Sequence, residues 1–235
     1  MKTIAVILAG GVGKRIGGDM PKQLLKVNDK YIIEYTIEAF EQNELIDEIC
    51  IVSHKDYIDP IEGIVKSGGY RKIGHIIEGG KERSDSSMNA LKIYTDDNDI
   101  LLFHDAARPL VSQSIITNCI EALSRYNAVG VAVAATDTIW QSVKEDILST
   151  IPPRETLYMA QTPQGFRRGT IARAYQAAKK DKGFRPTDDC SVVAHYLRDE
   201  QIRIIKGDNN NIKITFQKDL YLMQVIINER KSTQC

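Results

Sequence analysis

The sequence has no surplus charge of either sign: among its 235 residues, 31 Lys and Arg stand against 31 Asp and Glu. A protein that grips nucleic acid through its phosphates needs a basic excess, so general nucleic-acid binding is excluded. Local cationic clusters for one small anion are not. Long apolar runs are also missing, and none approaches the roughly 18–20 residues of a membrane span. The longest early run, Ile4–Ala9, falls short of a signal-peptide core of about 7–15 residues and leads straight into Gly10, Gly11 and Lys14-Arg15. Cysteine is scarce. Cys50, Cys119, Cys190 and Cys235 are widely scattered with no CxxC pair, and read as reduced thiols of a cytoplasmic protein. No internal repeat, low-complexity tract or Pro/Ser-rich linker divides the chain.

What is present suffices for a full core without staples, since 43% of the residues are hydrophobic and 26% charged. Short apolar runs alternate with longer amphipathic stretches, which predicts an α/β sheet. Thr3–Leu8, Ile49–Val52, Ile73–Ile77, Ile100–Phe103, Ala128–Ala134 and Ile202–Ile205 read as strands. Helices are predicted over 32–40, over Ser84–Tyr94, from an N-cap at Ser112 to about Tyr126, over Thr170–Lys179 and Thr187–Tyr196, and from about Lys218. Residues 135–157 break the pattern and resemble a hairpin. Neither half carries enough apolar surface to stand alone in water, so the hairpin is expected to pack on something else, most simply a second subunit. Parallel sheets place ligands at the C-terminal ends of their strands. That puts the loop from Ala9 to Lys22, the segment His104–Arg108 and the segment Asn209–Lys213 together.

Four constellations carry chemistry. Leu8-Ala9-Gly10-Gly11-Val12-Gly13-Lys14-Arg15, followed by Pro21-Lys22-Gln23, joins close-approach glycines to spaced cations and so suits a phosphate. It matches neither G-x-G-x-x-G, which fails by one residue, nor the P-loop pattern, and a flexible glycine loop with a solvated basic pair remains the alternative. His104-Asp105-Ala106-Ala107-Arg108-Pro109 ends a strand. Asp105 suits Mg²⁺ near phosphates and Arg108 a polar substrate, or the two close a turn as an ion pair. Arg154 with Gln161-Thr162-Pro163-Gln164-Gly165, and Asn211-Ile212-Lys213-Ile214-Thr215, read singly as rim charges and a turn. Asp188-Asp189 reads equally as a metal pair or as a helix N-terminus, where two carboxylates suit the macrodipole. His54, His75 and His195 show no ligand spacing, and Trp140 on the hairpin reads as interface packing.

Together these segments resemble the nucleotide-sugar pyrophosphorylase (nucleotide-diphospho-sugar transferase) superfamily. Gly79-Gly80-x-x-Arg83-x-x-Ser86, Asp137-Thr138 and Asn211-Ile212-Lys213 narrow the resemblance to the cytidylyltransferases that act on ribitol 5-phosphate or 2-C-methyl-D-erythritol 4-phosphate. It runs from about Ile4 to Leu220. It implies one Rossmann-like nucleotidyltransferase domain over residues 1–235, with a mostly parallel sheet flanked by helices and with residues 135–157 as a protruding β-arm used for dimerisation. It also implies the reaction: CTP and a polyol phosphate give a CDP-polyol and pyrophosphate, with Mg²⁺ as cofactor. The nucleophile is a phosphate oxygen already ionised at neutral pH, so no general base is required, and positioning and electrostatics dominate.

By resemblance, Leu8, Ala9, Gly10, Gly11 and Gly13 with Arg15 hold the triphosphate. Lys22 sits at the α-phosphate, and Lys213 neutralises the incoming phosphate. Gly80, Arg83 and Ser86 belong to the nucleotide site, with Asp105 on its ribose or metal side. Arg108 and Thr162, with Thr138 and Arg154 from the arm, take the polyol phosphate, and the arm completes the neighbouring subunit's site. The methylerythritol enzymes usually carry Pro-Ala-Ala-Gly in the first loop and basic residues on either side of Asp-Thr. Here Leu8-Ala9-Gly10-Gly11, Thr136 and Trp140 stand there, which favours ribitol 5-phosphate; Ala106-Ala107 and Thr187-Asp188-Asp189 lean towards methylerythritol phosphate. A Rossmann-type dehydrogenase would share the α/β pattern but not the glycine spacing, and a non-catalytic nucleotide-binding module would leave Arg108 and Arg154 without a task.

Overall fold

A computed structural model describes residues 1–11, 20–181 and 183–232. In chain order the elements are β1 (Thr3–Ala9), β2 (Lys26–Val27), β3 (Lys30–Tyr31), α1 (Ile32–Glu41), β4 (Glu48–Ser53), α2 (Ile58–Gly68), β5 (Ile73–Glu78) and α3 (Arg83–Ile93). There follow β6 (Ile100–Asp105), α4 (Gln113–Ala122), β7 (Ala128–Ala134), β8 (Tyr158–Arg167), α5 (Arg168–Ala178), α6 (Asp189–Tyr196), β9 (Ile202–Lys206) and α7 (Gln217–Ser232). The main sheet has seven strands in the order β5-β4-β1-β6-β8-β7-β9, and all run parallel except β8. The strands β2 and β3 form a separate small ribbon. The Rossmann-like, mostly parallel sheet flanked by helices is the fold class the sequence predicts.

Every residue of β1 is buried, because β4 and β6 flank it and both faces of the sheet are covered. Its side chains alternate between two cores. Ala5, Ile7 and Ala9 meet Ile33, Ile37 and Phe40 of α1, Ile61 of α2 and Ile116 of α4. Ile4, Val6 and Leu8 meet Leu91 of α3, Ile171 of α5 and Val193 of α6. A strand buried on both faces therefore reads as one continuous apolar run rather than as an alternation. Each such Ile, Leu or Val contributes about 1.5–3 kcal/mol by leaving water. A third, smaller core holds Met223, Ile226 and Ile227 of α7 against Val27, Ile32, Leu110 and Ile214.

Helix starts follow local chemistry. The Ser112 hydroxyl accepts from the Ile115 N–H at 3.3 Å ahead of α4, and the Asp188 carboxylate accepts from the Ser191 N–H at 2.8 Å ahead of α6. The helix expected to reach Tyr126 ends at Ala122, and the chain turns through Ser124–Tyr126 before β7.

Two sequence expectations need correction. The stretch Gln161–Gly165 is not a turn but the middle of β8, inserted antiparallel between β6 and β7. Its polar residues hide the strand pattern, yet all three are buried and bonded. Gln161 donates to the Asp208 carbonyl, Thr162 contacts His104, and Gln164 donates to Asp188. Gly165 allows the close approach: a Cβ there would lie 2.6 Å from Leu102 Cδ2 and 2.9 Å from Leu123 Cδ1.

The second correction concerns residues 135–157, which trace a hairpin course without regular strands. Only two isolated antiparallel bridges form among them, Gln141 with Thr150 and Lys144 with Ile147. The segment is mostly exposed, Trp140 at 68%.

Candidate active site

The chain leaves β1 for β4 and β5 on one side, then returns to β6 on the other. The sheet's topological switch therefore falls between β1 and β6, where open α/β sheets bind ligands at their strand C-termini. A cleft of about 220 Å³ opens there. Its lining includes Leu8, Ala9, Gly10 and Gly11 after β1, Lys22 and Gln23, Gly80, Arg83 and Ser86 around the start of α3, Asp105 at the end of β6, and Lys213. Most of the expected nucleotide-site residues thus converge from five separate stretches of sequence. Gly13 and Arg15 lie outside the described residues. A wider groove of about 1410 Å³ runs between α4, the ends of β7 and β9 and the base of the arm. It contains none of the glycine-loop residues Leu8–Gly11 and neither Asp105 nor Lys213, all of which line the smaller cleft.

Asp105 organises the cleft. Its Oδ1 accepts from Arg83 Nε at 3.1 Å and its Oδ2 from Lys213 Nζ at 2.6 Å. Burial alone would raise this carboxyl, but the Arg83 and Lys213 charges outweigh it and hold Asp105 well below the usual carboxylate range. Arg83 in turn binds Asp189 through Nη1 at 2.6 Å. The Asp188-Asp189 pair is therefore no metal pair: Asp188 caps α6, and Asp189 is the fully buried partner of Arg83. That contact spans 106 positions, and no local pattern announces it.

The two lysines are placed by backbone. Lys22 Nζ donates to the Ile214 carbonyl at 2.8 Å, beside Lys213. Gln23 donates to the Ala9 carbonyl, fixing the far end of the glycine loop against its start. Lys213 sits between two anchored neighbours. Asn211 is fully buried and donates to Gln161 Oε1 and the Thr162 carbonyl, while the Ile214 N–H donates to the Ala107 carbonyl at 2.8 Å. At Gly80 a Cβ would lie 2.0 Å from Asp85 Cβ, so only glycine lets this loop run close over the start of α3. The Gly80 N–H donates to Ser86 Oγ at 3.1 Å.

The residues assigned to the polyol phosphate are not gathered in the same way. Arg108 is half-buried and spends Nη1 on the Asn211 carbonyl and Nη2 on the Ala160 carbonyl, while its Nε is buried with no partner among the described residues. Thr162 lies beneath the cleft rather than in its lining. It accepts from the Asp105 N–H at 3.1 Å and contacts His104 Nδ1 at 3.0 Å. Thr138 and Arg154 stand exposed on the arm, with Arg154 donating to the Thr136 carbonyl, and neither lines the cleft of its own chain.

A cation has a limited choice of ligands. Among the described residues no group of three or more His, Cys, Asp or Glu could hold a metal ion. Asp105 accepts one hydrogen bond at each oxygen and so retains lone pairs. That fits Mg²⁺, which needs only one or two carboxylates when phosphate oxygens supply most of the shell. The three described cysteines are free, and burial pushes Cys50 and Cys119 up to about 12, so they stay protonated and inert. No helix among the described residues is long and apolar enough to cross a membrane.

The comparison to known proteins agrees with the fold. The family model "2-C-methyl-D-erythritol 4-phosphate cytidylyltransferase" (IspD) matches residues 3–229. The chain belongs to this family. A member from Thermobifida fusca (strain YX), named 2-C-methyl-D-erythritol 4-phosphate cytidylyltransferase, is 42% identical over 96% of this chain and 93% of its own. The Haemophilus influenzae protein named bifunctional ribulose 5-phosphate reductase/CDP-ribitol pyrophosphorylase Bcs1 is also 42% identical, over 97% of this chain and 49% of its own. The crystal structure of 4-diphosphocytidyl-2C-methyl-D-erythritol synthase from Anaerococcus prevotii DSM 20548 superposes with a TM-score of 0.86 at 28% identity, covering 97% of this chain and 96% of that one. The enzyme is a CTP-dependent cytidylyltransferase of this family, hence a nucleotidyltransferase.

His104 beneath the site gives a testable pH dependence. It is fully buried, and burial pushes its imidazole down from 6.5 to about 4. With Thr162 Oγ accepting from the Asp105 N–H, its hydroxyl proton turns to His104 Nδ1, and Nε2–H donates to the Arg108 carbonyl at 2.9 Å. The folded chain thus holds His104 neutral while the unfolded chain takes up a proton near 6.5. This contribution to stability is complete above that pH and declines as pH falls towards 4, by about 3 kcal/mol in total. Denaturant unfolding at a series of pH values is expected to show a shallower decline across that window in His104→Gln than in the wild type. Equal slopes would remove His104 from the account.

Proposed function

We propose that the enzyme transfers the cytidylyl group of CTP to D-ribitol 5-phosphate, giving CDP-ribitol and pyrophosphate. The observation that carries the reading is the cleft itself, where Lys22, Arg83 and Lys213 converge beside the glycine loop and the ionised Asp105. A phosphate oxygen of the polyol phosphate attacks the CTP α-phosphorus; the new P–O bond forms as the bond to the β-phosphate bridge breaks, and pyrophosphate leaves. No proton has to be removed from the nucleophile. The barrier lies in bringing two anions together, and fixed cations lower it without reorganising.

In this reading Leu8–Gly11, with Gly13 and Arg15, bind the triphosphate, while Lys22 stabilises charge at the α-phosphorus. Gly80, Arg83 and Ser86 hold the nucleoside end. Lys213, held in place by Asp105, meets the incoming phosphate. Mg²⁺, when bound, would neutralise triphosphate oxygens, with Asp105 as its protein ligand. Arg108 would help position the polyol phosphate, with Thr162 supporting the site from below.

Two observations support ribitol. The arm carries Thr136 and Trp140 where the methylerythritol enzymes usually carry basic residues, and the Haemophilus relative has CDP-ribitol pyrophosphorylase in its name. The second reading is 2-C-methyl-D-erythritol 4-phosphate, supported by the family model and by the name of the Thermobifida relative. Pyrophosphate release with CTP and Mg²⁺ across both phosphates and a few other polyol phosphates separates the two. A clear preference for ribitol 5-phosphate is expected, and a preference for methylerythritol phosphate would overturn it.

The arm belongs to a homodimer in this proposal. Thr138 and Arg154 are not among the described residues that line the candidate cleft, and Trp140, Val143, Ile147 and Ile151 are exposed at 68%, 82%, 53% and 51%, an apolar surface that wants a partner. Mixing inactive Lys22→Ala protein with inactive Arg154→Ala protein is expected to restore part of the activity, because one of the two mixed sites is then intact. No recovery, once subunit exchange is demonstrated, would mean that each arm serves its own chain.

A further inference from the structure

The deepest charged group near the cleft is one that the transfer chemistry does not use. Asp189, the first residue of α6, is fully buried, and both of its oxygens are taken: Oδ2 by Arg83 Nη1 at 2.6 Å and Oδ1 by the Tyr175 hydroxyl at 2.6 Å. Arg83 then reaches through Nε to Asp105, and Asp105 reaches Lys213. The four side chains alternate in sign from the core to the cleft. Arg83 lines the cleft, and its Nη2 is buried with no partner among the described residues, so its two anchors are the carboxylates at Nη1 and Nε.

A buried ion pair is weak evidence for stability, because desolvating the charges offsets most of their attraction. Orientation is a different matter. A guanidinium held at Nη1 has its plane fixed, so the carboxylate bound at Nε is held in one place. We propose that Asp189 is a positioning residue of the nucleotide site: it fixes Arg83, which lines the cleft, so that Nε holds Asp105 in register with Lys213. Asp189 touches neither substrate. Tyr175 in α5 orients the carboxylate from the other side, tying the cleft to the core between the sheet and α5.

The inference rests on the reading of the cleft as the CTP site, and the test separates the two. CTP affinity, measured by calorimetry with Mg²⁺ on the full chain, is set beside the unfolding temperature for wild type, Asp189→Asn, Tyr175→Phe and Lys22→Ala. Asp189→Asn keeps the shape but loses the charge-assisted bond to Arg83, and its Kd for CTP is expected to rise about tenfold or more. Tyr175→Phe keeps the carboxylate. It lowers the unfolding temperature but leaves the Kd within about threefold, since one neutral hydrogen bond is lost at a distance from the ligand.

A structural role alone would lower the unfolding temperature in both variants and leave the Kd unchanged in both, which overturns the proposal. If Lys22→Ala weakens CTP binding and Asp189→Asn does not, the Asp189 inference fails and the site stands. If neither does, the cleft assignment fails with it. Should Asp189→Asn not fold, Asp189→Glu, which retains the charge at a different reach, is expected to weaken CTP binding several-fold. Wild-type affinity in that variant would overturn the proposal.

Discussion

The site depends on one charge held where water barely reaches. Asp105 stays ionised at the end of β6 because Arg83 and Lys213 each place a cation on one of its oxygens. Remove the cations and burial would favour the neutral acid. With them, the carboxylate serves as a fixed point from which the surrounding loops are measured. Its backbone N–H rests on Thr162, and the next residue, Ala106, donates to the Leu8 carbonyl at the start of the glycine loop. The glycine-rich end of β1 and the charged end of β6 are thus joined by short bonds in addition to the sheet ladder.

The lysine that reaches Asp105 is positioned by packing as much as by charge. Asn211 pins one side of Lys213 to β8, and Ile214 pins the other in the small core beneath α7. The C-terminal helix, which begins just after Lys213, therefore helps to set where that ammonium points. Lys22 closes the arrangement by bonding to the Ile214 carbonyl, so both lysines refer to the same short stretch of backbone. Preorganisation of this kind suits a reaction whose barrier is electrostatic, because cations already in place need not move as charge develops.

Much of this was legible in the sequence where the signal is local. Continuous apolar runs mark strands buried on both faces, as in β1. Ser112 marks a helix start. Glycines and spaced cations at a strand end point to one site, and Lys22, Arg83, Ser86, Asp105 and Lys213 do share one cleft. What the sequence hides is long-range. The strand β8 was obscured because Gln161, Thr162, Pro163, Gln164 and Gly165 lack an apolar alternation; their burial is tolerable only because Asp208, His104 and Asp188 meet them from elsewhere. Asp189 reads equally as a helix-terminus carboxylate or as half of a metal pair, and its pairing with Arg83 depends on the starts of α3 and α6 meeting, which no local pattern announces. Thr138 and Arg154 cannot be placed from one chain, since the arm that carries them finds no cover within it.

The central claim is that fixed positive charge at Lys213, rather than acid–base chemistry, drives transfer. The most direct test is the rate of pyrophosphate release in Lys213→Ala at saturating CTP and polyol phosphate, with folding checked by thermal unfolding. A fall of about a hundredfold or more in a folded protein is expected, comparable to the loss of one preorganised donor at a developing charge. A rate close to wild type would contradict the claim and send the search for transition-state stabilisation elsewhere in the cleft.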